Sequence, residues 1–165
     1  MRPIWFAITA EPEFAARATA ATLDAARGHA RRVEARLGAD APAAVQEAWH
    51  ALWTAWTGPV GRAVGRARAA LGSGTPGTVR FPAADDEAWA ALLALLPWVT
   101  VDLVGDAQAE IGRVSEGGRA CVARLTAEEG AALRERLAAG AEEGSGVTVE
   151  QLGANRTWYD LGGTS

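Results

Sequence analysis

The stretch "WVTVDLVGDAQAEIGRVSEGGRACVARL", residues 98–125, decides how the chain folds. Val99, Val101 and Leu103 alternate with Trp98, Thr100 and Asp102, the two-residue period of a strand with one face in a core. Two more extended segments follow at 109–115 and 119–125, with Asp106 in the turn after Gly105 and Glu116-Gly117-Gly118 between the last two. Gaps this short join antiparallel neighbours, so the stretch reads as a three-stranded meander.

Working outward, "PIWFAIT" (3–9) and "VRF" (79–81) have strand composition, and the tail from Val147 adds a short strand or a turn of helix. Between them the period becomes helical. Ala16, Ala20, Leu23, Ala26, Ala30, Val33 and Leu37 step by three and four, which predicts one long helix from Pro12 to a stop at Gly38. Arg17, Asp24, Arg27, Arg31 and Glu34 would form its solvated side. Asp40 is placed to cap a second helix with Pro42 in its first turn, running to Gly58-Pro59. A third is expected over 60–71, followed by the loop "GSGTPGT" (72–78). Asp85, Asp86 and Glu87 favour a helix start, with Trp89, Leu92, Leu93 and Leu96 facing inward and Pro97 closing it. Thr126 and Glu129 have capping-box spacing and open a helix to about Leu137.

The expectation is an α+β domain spanning 1–165: a mixed or antiparallel sheet of four to six strands, helices inserted mainly in the N-terminal half, and residues 160–165 frayed. A chain of 165 residues buries roughly 70% of its unfolded surface, so a core forms without staples. The one cysteine, Cys121, has no partner for a disulfide and reads as a small buried apolar side chain. The apolar run 88–101 is broken by Pro97 and is shorter than the ~20 residues that span a bilayer. Pro3–Ala10 is followed by Glu11, Glu13 and Arg17, unlike a secretory signal, so a cytoplasmic location is expected.

All sixteen basic residues are arginine, and with the abundant alanine and glycine this points to GC-rich coding rather than to function. Charge is uneven: residues 1–84 carry ten arginines against six acids, and residues 85–165 carry six against fourteen. Arg62 and Arg66 share a helix side and could face an anion. A net charge of −4 without arginines interleaved with aromatics disfavours nucleic acid.

"EAWHALWTAW" (47–56) concentrates three of the seven tryptophans. Trp49, Trp53 and Trp56 fall within an arc of roughly 60° on a helix, the spacing of a buried stripe. Glu47 and His50, three apart, lie off that stripe as a carboxylate–imidazole pair. With His29 they could make a metal site, but two histidines fix nothing and no metal or other cofactor is expected. No phosphate loop, dinucleotide fingerprint or nucleophilic triad is present.

Three functional readings follow. The first is a non-catalytic protein that binds another protein as a regulator, escort or inhibitor, with Asp102, Asp106, Glu110 and Asp160 steering a basic partner and Trp98 or Trp158 as apolar anchor. The second is an enzyme or small-molecule binder with a pocket beside the tryptophan helix, His50 as acid–base group and Glu47 or Asp102 orienting it. The third is an oligomeric structural component that buries its aromatics against its own copies.

Overall fold

The computed structural model describes residues 4–57, 77–96, 98–115, 120–139 and 146–152. In chain order these form β1 (Ile4–Thr9), α1 (Pro12–Arg27), β2 (Arg32–Leu37), α2 (Ala43–Trp56), β3 (Val79–Pro82), α3 (Asp86–Leu93), β4 (Val99–Val104), β5 (Glu110–Val114), β6 (Ala120–Leu125), α4 (Ala127–Ala139) and β7 (Thr148–Gln151). The strands make one seven-stranded sheet in the order β3-β2-β4-β5-β6-β1-β7, every neighbouring pair antiparallel. The α+β class and the β4–β5–β6 meander are as the alternation predicts.

The sheet has more strands than expected because of one segment. Residues 32–37, predicted as the end of the first helix, are a strand between β3 and β4, with Val33 opposite Phe81 and Leu103. Helix α1 stops at Arg27, and the chain turns through Gly28 with His29 N–H donating to Ala26 O at 3.0 Å. "RVEARL" satisfies both periods, since Val33 and Leu37 are four apart while Val33 and Ala35 are two apart. Pairing on both sides decides it, because a strand in the middle of a sheet gains two ladders.

Two local readings are also corrected. The buried side of α1 is Ala15, Ala18, Thr19, Thr22, Leu23 and Ala26, with Ala16 exposed. In so alanine-rich a helix the stripe can be drawn on several faces, and the threonines enter the core by satisfying their own hydroxyls. Thr22 Oγ1 donates to Ala18 O at 2.8 Å. Pro42, not Asp40, stands at the cap position of α2, and no side chain caps that end. Helix α3 ends at Leu93, with Leu95 and Leu96 still buried in the turn beyond it. The helix expected over 60–71, its Arg62 and Arg66, and Pro97, Trp158, Asp160 and the 160–165 tail lie outside the described residues.

All four described helices bury their apolar sides against one face of the sheet. There Phe6 and Ile8 of β1, Val33 and Ala35 of β2, Phe81 of β3, Val101 and Leu103 of β4 and Cys121 and Leu125 of β6 share a core with Trp49, Trp53, Trp89 and Leu133. Trp49 is fully buried, and Trp56 stands at the core's margin with its ring 5.9 Å from that of Phe81. The tryptophan stripe is therefore core packing. Side chains cap two of the described helices: at α3 the acidic start favoured by the sequence includes a cap, and at α4 the predicted capping box forms. Asp85 accepts from Ala88 N–H at 2.7 Å, and in α4 Thr126 N–H donates to Glu129 Oε2 at 2.8 Å while Glu129 N–H donates to Thr126 Oγ1 at 3.2 Å. Gly130 lets α4 sit close on the sheet, since a Cβ there would meet the Phe6 ring at 2.2 Å. No helix among the described residues is long and apolar enough to cross a membrane.

Candidate functional site on the outer sheet face

Strand alternation sends the other half of each strand to the opposite face, where no described helix lies. Across β3, β2, β4 and β5, Arg80 stands opposite Glu34, Glu34 opposite Asp102, and Asp102 opposite Arg113. Arg32 and Arg36 flank Glu34 on the same side of β2. The register thereby dictates a charge ladder, and the side chains complete it. Glu34 Oε1 accepts from Arg32 Nε at 3.1 Å, and it lies 2.8 Å from Arg32 Nη2 and 3.2 Å from Arg80 Nε. Asp102 accepts from Arg113 Nε at 2.6 Å and from Arg36 Nη2 at 3.3 Å, and Arg113 Nε also lies 3.3 Å from Glu110.

Burial pushes the Glu34 carboxyl up, but hydrogen bonds and charge from Arg80 and Arg32 outweigh it and hold Glu34 below its ordinary value. Beside the ladder, Ala7, Val122 and Leu152 form a small buried apolar cluster with Trp5 packed against it. Just before β4 stands Trp98, the exposed large apolar side chain among the described residues at 37%. Its carbonyl accepts from Gly38 N–H at 2.8 Å, and by alternation it falls on the side of Thr100 and Asp102.

The residues singled out from the sequence divide. Asp102 and Glu110 are brought together through Arg113, and Trp98 lies on the same side of the sheet. Asp106 sits in the β4–β5 turn, where it accepts from Arg31 Nε at 3.0 Å. Glu47 and His50 are on the exposed side of α2, in the helical layer, so the sheet separates them from Asp102. The His50 ring stacks on Trp53, with centroids 6.0 Å apart and planes 26° apart.

The histidine that meets a carboxylate is His29, whose Nε2 is 2.9 Å from both oxygens of Glu129. Glu129 is pushed up by burial, yet the Thr126 N–H, His29 and the Thr126 hydroxyl together hold it below the ordinary carboxylate value. That pair ties the α1–β2 connection to the first turn of α4. The Cys121 thiol, buried against α1, is pushed up to about 11 by desolvation, only partly opposed by the Thr22 and Thr19 hydroxyls, and is held as an unreactive thiol. Among the described residues no group of three or more His, Cys, Asp or Glu side chains is arranged to hold a metal ion.

Arg32 and Arg36 are hidden by the helical period of residues 32–37, whereas Arg80 and Arg113 lie on predicted strands and become ladder members only through the register. The alternation Arg32, Glu34, Arg36 was the available signal. Comparison with protein-family models, with curated proteins and with solved structures finds no match.

Proposed function

We propose that the protein is a non-catalytic protein-binding module whose binding surface is the outer face of its sheet. One observation carries this reading: all four described helices pack on one face, and the opposite face offers a broad rank of fixed charges with Trp98 and the Trp5 cluster at its sides. Charged side chains spread over four strands with an aromatic anchor suit a macromolecular partner, whose interface spans many residues, better than a small molecule. For the acid–base reading, the sheet separates His50 from Asp102 and leaves Glu47 as the orienting partner on the same helix, exposed as His50 is.

The test is affinity capture from the native lysate with the whole chain. Wild type is compared with a face variant (Trp98→Ala with Thr100→Tyr, a neutral steric block) and a helix variant (His50→Ala with Glu47→Ala), each checked for an unchanged circular-dichroism spectrum and melting temperature. The expected result is a stoichiometric partner retained by wild type and the helix variant and reduced at least tenfold by the face variant. No stoichiometric partner, or loss through the helix variant alone, overturns the reading.

A further inference from the structure

The partner suggested by composition is basic, because the second half of the chain is acidic. The side-chain arrangement on the outer face points the other way. In the ladder pairs of Glu34 and Asp102 the carboxylate lies beneath and the guanidinium lies above it, whereas Glu110 is more exposed than its partner Arg113. The Arg80 side chain is 62% exposed over Glu34 at 23%, and Arg36 is 61% exposed over Asp102 at 17%. Four arginines (32, 36, 80 and 113) meet three carboxylates (34, 102 and 110), so this half of the face is locally cationic.

The sunken acids also do mechanical work. Glu34 holds Arg80 by Nε, and Asp102 holds Arg36 by one Nη. Each planar fork is thus oriented, while further N–H donors remain on it for a ligand carboxylate. An arginine positioned in advance loses less freedom on binding than a solvated one.

We infer that the outer face recognises an acidic, extended polypeptide segment, with Arg36 and Arg80 as the two contacting cations. This rests on the outer face being the binding surface. Arg80 stands opposite Glu34, so Arg36, two residues along β2, is its diagonal neighbour. Such neighbours are roughly 7–8 Å apart at Cα. Same-side residues of an extended chain repeat at about 7 Å, so alternate carboxylates of a strand-like segment match the two guanidinium groups. The net charge of −4 opposes this only weakly, because at physiological salt exposed charges beyond a Debye length of about 8 Å are screened. A polynucleotide fits less well: its continuous phosphate charge would lie over Glu34 and Asp102, whereas a peptide can place neutral residues there.

The experiment uses the full chain and three fluorescent probes matched in length: a polyglutamate peptide, a polyarginine peptide and a single-stranded oligonucleotide, titrated by anisotropy at low and physiological salt. Polyglutamate is expected to bind most tightly and to weaken with salt. Arg36→Gln with Arg80→Gln is expected to lower its affinity at least tenfold, and Arg36→Lys with Arg80→Lys to restore part of the loss. Tighter binding of polyarginine that Thr100→Arg abolishes overturns the acidic partner while keeping the face as the surface. Tighter binding of the oligonucleotide also overturns it, as does an absence of polyglutamate binding. Polyglutamate binding that neither the arginine substitutions nor Thr100→Arg alter overturns the inference and the surface together.

Discussion

Glu34 is the residue where the chemistry of the outer face is most concentrated, with two arginines on one carboxylate oxygen. Its carboxyl is held below the ordinary value of 4.5, so the folded state binds that proton less readily than the unfolded chain. The stabilisation is therefore whole above about pH 4.5 and is lost as pH falls through the lower folded value. In urea titrations between neutral and acid pH, Glu34→Gln is expected to flatten the decline of stability below pH 4.5. Its cost at neutral pH should stay near or below ~1 kcal/mol, the range for exposed ion pairs. Equal acid slopes in the two proteins would remove the ladder's role in stability. At this scale the sequence named Asp102 and Glu110 but not the arginines that hold them. The Asp102–Arg36 contact joins residues from two different strands, and only register reveals it.

Among the elements, the β4–β5 hairpin shows how local chemistry and tertiary demand can disagree. Ala107 (φ 52°) and Gln108 (φ 64°) both have left-handed backbone, and Ala109 N–H closes the turn on Asp106 O at 3.0 Å. This is the type I′ geometry that Asn-Gly adopts at least cost, and neither residue here favours it. Arg31, just before β2, on Asp106 and Arg32 Nη2 on the Gln108 side chain at 2.7 Å hold the turn. Ala107→Asn with Gln108→Gly is expected to raise stability by about 1 kcal/mol, read as a higher melting temperature with the fold unchanged. A fall would mean that the Arg32–Gln108 contact outweighs backbone strain. The strand β2 teaches the same lesson from the other side. Its six residues fit a helical stripe and a strand alternation, and the choice came from neighbours 44 or more residues away.

At the scale of the molecule, one apolar core sits between the helical layer and the inner face, and Trp49 is its largest fully buried side chain. Trp49→Ala should cost about 3–5 kcal/mol in chemical denaturation, the range for emptying a buried indole site. A loss under about 1 kcal/mol would place the ring at a surface groove instead. The one-sided layering decides more about function than any motif does, because it puts every described helix against one face and leaves the ladder on the other.

The amino-acid sequence by itself determined what local physics can enforce. It determined the meander through its alternation, the α4 start through Thr126 and Glu129, and the burial of the tryptophan stripe through its spacing. Tertiary structure alone decided that residues 32–37 are a strand, that Glu47 and His50 lie across the sheet from Asp102, and that Glu34 and Asp102 sit beneath arginines. The reason is the same each time. Helix caps and periodicity act over a few residues, whereas strand pairing couples distant segments, and a change of period sends every side chain to a new place.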